Sequence, residues 1–153
     1  MSSTDEIAVG IDLGTSVSCI SAMTQVGPCI LAGSSGQRLQ PSVVSFQSDG
    51  TVLVGALAKR RMLVQPEQTV SSVKRLIGCS FFAKEVQVAR ERRSYDLVER
   101  GDGAIGIRIG QIVVAPEEVS ALVLRELRNV AEEVLGQQIR KAVMTVPAYF
   151  TDQ

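Results

Sequence analysis

The sequence predicts an α/β protein in which strands and a long helix pack into one domain. Three observations predict this fold class. Apolar residues alternate with small ones over 7–11, the period of two that is typical of a packed strand. An apolar face recurs at helical spacing over 116–135. A second alternating segment, 142–146, follows that helix, so predicted strands lie on both sides of it.

The elements follow from local signals taken in chain order. Strands are predicted at 17–23, 28–31, 42–46 and 51–54, with turns at Gly27-Pro28 and Ser48-Asp49-Gly50. A helix is predicted at 55–63, a short helix capped by Ser71-Ser72 and ended by Gly78, and a further helix at 81–89. Strands at 94–99, 104–109 and 111–114 complete the middle of the chain.

The helix at 116–135 has the clearest boundaries. Pro116 stands at its first position, Glu117 and Glu118 suit its positive end, and Gly136 ends it. The apolar face comprises Val119, Leu122, Val123, Leu127, Val130 and Val134. The alternating segment after the helix predicts a buried strand that ends at Pro147.

Composition narrows the class of function. The chain has 153 residues, enough for one domain, and its 16 basic and 16 acidic residues balance, so no nucleic-acid or anionic-membrane partner is indicated. No apolar run approaches the roughly 20 residues of a membrane span, and the first residues do not resemble a signal peptide. Three cysteines and no histidine argue against a disulfide framework, the usual catalytic triads and most zinc sites. We therefore expect a cytoplasmic protein with reduced thiols.

The segment GIDLGTS at 10–16 contains the candidate residues for binding an anion and a metal ion. Asp12 falls at the end of a predicted strand, Gly14 allows a tight turn, and Thr15 and Ser16 add hydroxyls. A turn with free amides is an anion site, and a nearby carboxylate can hold Mg²⁺, usually through water. An ordinary Asp-x-Gly turn is the alternative. The segment matches neither the P-loop nor the dinucleotide fingerprint.

Four segments in this order resemble the nucleotide-binding domain of the seventy-kilodalton heat-shock chaperones of the DnaK type. They are GIDLGTS at 10–16, QPSVV at 40–44, VKRLIG at 73–78 and TVPAYF at 145–150. Actins and sugar kinases share the first motif, whereas the other three together are specific to the chaperones. The resemblance implies an actin-like, ribonuclease-H-like ATPase fold, with a mixed sheet and flanking helices. Residues 1 to about 41 and 116–153 would form its core subdomain, and about 42–115 an inserted upper subdomain.

The resemblance also implies the roles of the residues in the first motif. Asp12 matches the aspartate that holds Mg²⁺ through water. Gly14, Thr15, Ser16 and Val17 match the loop around the β- and γ-phosphates of ATP or ADP. Val17 stands where the family often has Asn or Tyr. It retains the backbone amide of that position but lacks the polar side chain.

Two further residues acquire roles by resemblance. Lys74 matches the catalytic lysine that positions the attacking water and stabilises charge on the transferred phosphoryl group; without the family match, it would be read as part of a solvated face. Pro147 matches the proline that relays nucleotide state allosterically, with a strand-ending proline as the alternative. Arg90, Arg92 and Arg93 are predicted to form a solvated basic face.

The implied function is an ATP-dependent molecular chaperone that controls the binding of unfolded polypeptide by a separate domain. The implied partners are client polypeptides, a J-domain co-chaperone and a nucleotide exchange factor. The polar run 151–153 resembles a helix start, and the family's second phosphate loop, adenosine pocket and substrate domain are not in this sequence, so we expect a truncated first lobe that is inactive alone. The alternatives are a divergent non-catalytic module of the same family and another actin-like ATPase.

Overall fold

A computed structural model describes residues 7–146 of the chain, which form an α/β structure with three sheets. The strands are β1 (Ala8–Asp12), β2 (Val17–Thr24), β3 (Gly27–Ile30), β4 (Gln40–Pro41), β5 (Val43–Phe46), β6 (Val52–Val54), β7 (Thr69–Ser71), β8 (Asp96–Glu99), β9 (Ile105–Ile109), β10 (Ile112–Val114) and β11 (Lys141–Thr145). The helices are α1 (Ala56–Arg61), α2 (Lys84–Glu91) and α3 (Pro116–Leu135). Two 3-10 turns, Pro66–Gln68 and Val73–Leu76, lie on either side of β7.

The principal sheet is mixed, with the order β11-β1-β2-β3, and β4 pairs with β2. Strands β1, β2 and β3 form an antiparallel meander, as the alternation and the Gly27-Pro28 signal predicted. Strand β11 lies parallel to β1, with Asp12 in register with Thr145. Two three-stranded sheets, β6-β5-β7 and β10-β9-β8, are formed by the middle of the chain.

Helix α3 lies against these sheets and begins and ends as predicted. Pro116 occupies its first turn, and the backbone N–H of Ala115 donates to the Glu118 carboxylate at 2.5 Å. Gly136 adopts a left-handed conformation at φ 66° and closes the last turn. Most of the predicted apolar face is buried, but Val134 is 44% exposed, because the face turns out of the core near the end of the helix.

The segment before Gly78 differs from the prediction in two ways. It forms a 3-10 turn, Val73–Leu76, instead of an α-helix, and Ser72 precedes it in a left-handed conformation at φ 55° without making a side-chain cap. The strand β7 just before it was not predicted. The helices predicted at 55–63 and 81–89 are shorter or shifted, as α1 and α2.

The last strand is the clearest error of the sequence analysis. It was predicted to be buried, but every residue of β11 is exposed, and Val143 is 71% exposed. Within residues 7–146, β11 pairs only with β1 and forms one edge of the sheet. Alternation of apolar residues indicates a strand, but burial also requires an element that covers its faces. Pro147 lies outside the described residues.

No helix in residues 7–146 combines the length and the hydropathy needed to cross a bilayer.

Candidate functional site

The turn between β1 and β2 presents polar groups at one end of the principal sheet. Asp12 is the last residue of β1, and its side chain is exposed. Because β1 and β11 run parallel, Thr145 lies beside it, and the Thr145 hydroxyl donates to the Asp12 carboxylate at 3.4 Å. Thr15 is half-buried in the turn and Ser16 is exposed. A carboxylate and several hydroxyls are therefore accessible together.

Two buried serines hold the Gly14 peptide in place. The Gly14 N–H donates to the Ser18 hydroxyl at 3.2 Å, and the Ser42 hydroxyl donates to the Gly14 carbonyl at 2.8 Å. The two hydroxyl oxygens are 2.8 Å apart. Each hydroxyl has only one hydrogen, and that of Ser42 is already donated, so Ser18 must donate to Ser42. The result is a closed ring of three hydrogen bonds, which we call the hydroxyl ring.

Glycine is required at position 14 because of space rather than φ. Gly14 is not among the residues with positive φ, so the tight turn predicted there does not use a left-handed glycine. A Cβ on Gly14 would instead lie far inside van der Waals contact with the carbonyl oxygen of Val17. The turn therefore closes over position 14, and the backbone itself fills the space that a side chain would need.

Lys74 reaches this turn from a distant part of the chain. Its ammonium nitrogen donates to the Leu13 carbonyl oxygen at 2.5 Å across 61 residues of sequence. Val73 and Leu76 of the 3-10 turn are buried, which anchors the backbone on either side of the lysine. The structure therefore brings the predicted catalytic cation and the predicted phosphate loop together.

Arg93 was predicted to be on a solvated face, and this is wrong. Its side chain is half-buried, and its guanidinium donates to the carbonyl oxygens of Ser71 at 2.9 Å and Ser72 at 3.4 Å. It also contacts the hydroxyl of Tyr95, which itself donates to the Ser71 carbonyl at 2.6 Å. Burial, and then the nearby charge of Arg75, lower the pKa of Arg93 below its usual value. Spacing alone did not distinguish Arg93 from the exposed arginines beside it.

The donor set suits a hydrated Mg²⁺ bound to phosphate better than a metal bound by protein alone. No group of three or more Asp, Glu, Cys or His side chains gathers within residues 7–146. Asp12 offers one accessible carboxylate, and Mg²⁺ characteristically keeps several waters and uses one or two carboxylates together with substrate phosphates. The residues present therefore fit the metal-nucleotide that the sequence suggested.

Of the predicted site residues, Asp12, Gly14, Thr15, Ser16 and Val17 lie on one turn, with Lys74 against it; Pro147 lies outside the described residues. Four groups at the site were not predicted from the sequence: Ser18, Ser42, Thr145 and the Leu13 carbonyl. Ser42 and Thr145 lie within segments that carry the family resemblance, so those motifs held a signal. The partnership of Ser18 with Ser42 had none, because 24 residues separate them.

A mixed sheet with flanking helices, whose first strand delivers a carboxylate to a tight turn, is the arrangement of the actin-like ATPase class. The family model described as Hsp70 protein matches residues 8–153, nearly the whole chain. The chain belongs to the Hsp70 family, and its fold is that of part of an Hsp70 nucleotide-binding domain.

Proposed function

We propose that the chain forms one wall of the ATP site of an Hsp70 chaperone, in which ATP hydrolysis controls the binding of unfolded polypeptide by another domain. The observation that carries the proposal is the 2.5 Å contact of the Lys74 ammonium with the Leu13 carbonyl. It places a cation beside a turn that begins with the exposed carboxylate of Asp12. Phosphoryl transfer depends mainly on positioning and electrostatic stabilisation, which this arrangement can supply.

The turn would bind the polyphosphate, and Asp12 would hold Mg²⁺ through water. The hydroxyls of Thr15 and Ser16, together with the amides of the turn through Val17, offer donors to the β- and γ-phosphates. The metal, when bound, would neutralise charge on the phosphate oxygens. The hydroxyl ring keeps the Gly14 peptide fixed, so little reorganisation is needed when an anion arrives.

Lys74 would stabilise the transferred phosphoryl group and position the attacking water. An ammonium has three N–H donors, and one of those of Lys74 is directed to the Leu13 carbonyl. Two donors remain for a phosphate oxygen and a water molecule. The bond to Leu13 therefore orients the cation without exhausting its capacity to bind a substrate.

The sheets support the proposed division into subdomains. Strands β1, β2, β3 and β11 come from both ends of the chain and form one sheet. The two three-stranded sheets lie entirely within 43–114. We propose that about 1–41 and 116–153 form the core subdomain and that about 42–115 is the inserted upper subdomain. Cytoplasmic location, a J-domain co-chaperone and a nucleotide exchange factor are proposed from family membership.

The test is Lys74→Ala in the full-length protein, with single-turnover ATP hydrolysis measured with and without an unfolded peptide. We expect turnover to fall by about a hundredfold or more, with ATP affinity little changed, because the lost interaction forms mainly in the transition state. Lys84→Ala is the matched control, since it removes an exposed lysine from α2. Unchanged turnover in Lys74→Ala would remove the catalytic role.

A divergent, non-catalytic nucleotide-binding module is the second candidate. Val17 favours it, because an apolar side chain is 44% exposed at the end of the phosphate loop, where the resemblance implies a polar one. Wild-type protein that binds MgATP without hydrolysing it would support this candidate. Turnover gained in Val17→Asn would then identify position 17 as the cause.

A further inference from the structure

The turn that carries Lys74 begins at a strained residue. Ser72 has φ 55° and ψ 31°, a left-handed conformation that the Cβ of any residue other than glycine disfavours. Its side chain makes no capping hydrogen bond that would offset this strain. Such conformations persist only where surrounding contacts hold them, and they cluster at functional sites. Contacts from elsewhere in the structure must therefore hold Ser72.

The holding contacts come from Arg93 and Tyr95, which we call the carbonyl clamp. Arg93 donates to the carbonyl oxygens of Ser71 and Ser72, and the buried Tyr95 hydroxyl donates to that of Ser71. The guanidinium carbon lies 5.2 Å from the centroid of the Tyr95 ring, so the two side chains also stack. These bonds fix the two peptide groups on either side of the Ser72 α-carbon.

The partial burial of Arg93 indicates that its contacts in the carbonyl clamp are specific. Among the described residues no ion pair involves Arg93, and its Nε–H is buried without a hydrogen-bond partner. Partial removal of a guanidinium from water without a carboxylate partner is unfavourable unless its remaining contacts compensate. The compensating contacts within residues 7–146 are the Ser71 and Ser72 carbonyls and the Tyr95 side chain.

A short chain of hydrogen bonds leads from the carbonyl clamp to the turn between β1 and β2, residues 12–17, which we call the phosphate turn. The Ser72 carbonyl also accepts the Arg75 N–H at 3.4 Å, which closes the 3-10 turn around Lys74. Lys74 then spans to the Leu13 carbonyl. If Ser72 relaxed to an ordinary negative φ, the turn would change direction and Lys74 would leave Leu13.

We infer that Arg93 and Tyr95 are positioning residues for Lys74: by clamping the Ser71 and Ser72 carbonyls, they hold the left-handed Ser72 that directs the lysine to the phosphate turn. The inference rests on the proposed function where it concerns turnover. It adds two residues from the loop between α2 and β8 to the proposed ATP site, although neither lies on the phosphate turn.

The first arm of the test uses Arg93→Met in the full-length protein, with Arg92→Met as the matched control. Arg92 is the adjacent exposed arginine and is not part of the clamp. We expect Arg93→Met to lower the rate of single-turnover hydrolysis by about tenfold with ATP affinity unchanged. A displacement of about 1 Å in a catalytic group can lower a rate about a hundredfold, so a smaller displacement of Lys74 suffices for this effect. Arg92→Met should match wild type. Tyr95→Phe, which removes only a hydroxyl, should lower turnover by about threefold and serves if Arg93→Met fails to fold.

A double-mutant cycle separates positioning from a general structural role. In the Lys74→Ala background, Arg93→Met should cause no further loss of turnover, because the lysine that it positions is already gone. An equal loss in both backgrounds would overturn the inference, as would turnover in Arg93→Met equal to that of Arg92→Met.

The second arm needs no ATPase activity. An amine-acylating reagent modifies Lys74 and the exposed Lys84, and mass spectrometry gives the ratio of the two rates. We expect that ratio to rise about threefold or more in Arg93→Met and in Tyr95→Phe, because the bond of Lys74 to Leu13 opens more often. An unchanged ratio would overturn the inference even in an active enzyme. A raised ratio in a protein whose wild type does not hydrolyse ATP would uphold the positioning of Lys74 and reject the proposed function.

Discussion

Replacing Ser42 by alanine tests whether the hydroxyl ring acts as a unit. The change removes two hydrogen bonds, from Ser18 and to the Gly14 carbonyl. It also leaves the Ser18 hydroxyl, at 1% exposure, without its acceptor. Each net bond contributes about 1 kcal/mol, and an orphaned buried donor costs about 1 kcal/mol or more, so we expect Ser42→Ala to lower the free energy of unfolding by about 3 kcal/mol.

Ser18→Ala removes the two hydrogen bonds of the Ser18 hydroxyl, but the Ser42 hydroxyl still donates to the Gly14 carbonyl. We therefore expect Ser18→Ala to lower the free energy of unfolding by about 2 kcal/mol. The double variant loses all three bonds but contains no orphaned hydroxyl, so we expect about 3 kcal/mol, well below the sum of the single changes. Urea unfolding followed by circular dichroism measures these values, with the exposed Ser35→Ala as control. A loss of unfolding free energy in the double variant equal to the sum of the two single losses would refute the ring. The comparison requires that all variants have the same m-value.

Two other predictions concern the phosphate turn and the end of α3. Gly14→Ala should destabilise the protein by at least about 2 kcal/mol and weaken MgATP binding measured by calorimetry, since its Cβ clashes with the Val17 carbonyl; normal affinity would show that the turn can open. The pKa of Glu132 is lowered from its usual value of 4.5, first by the Ile139 N–H and then by Arg128. The contribution of Glu132 to stability is therefore fully present above pH 4.5 and is lost as the pH falls through the lowered pKa. Glu132→Gln should therefore be less stable than wild type at pH 7 in urea titrations, and the gap should close in acid; a gap independent of pH would contradict this.

Local signals were sufficient for several elements. The bounds of α3 follow from Pro116 and Gly136, because a proline at the first turn and a left-handed glycine after the last act within a few residues. The hairpin of β5 and β6 was likewise confirmed, since Ser48-Asp49-Gly50 encodes its turn locally. The family resemblance was confirmed by the match over residues 8–153.

Features that depend on distant partners were not predictable in the same way. Strand β7 has only three residues, and it exists because it pairs with β5, which lies about 25 residues earlier. Arg93 looks like its exposed neighbours in the sequence, and only the folded chain shows that Ser71 and Ser72 lie within its reach. The resemblance supplied a role for Lys74, but not Leu13 as its partner. The roles proposed for Asp12 and Lys74 stay predictions, which the variants test.

The exposed strand β11 has a consequence for the behaviour of the chain in solution. Its sequence KAVMT contains one charge, and its outer edge pairs with no strand within residues 7–146. A sheet edge of this kind is a template on which a strand from another molecule can add, which leads to concentration-dependent association. A charged residue in place of Val143, which is 71% exposed, should delay light scattering at high protein concentration without lowering the free energy of unfolding.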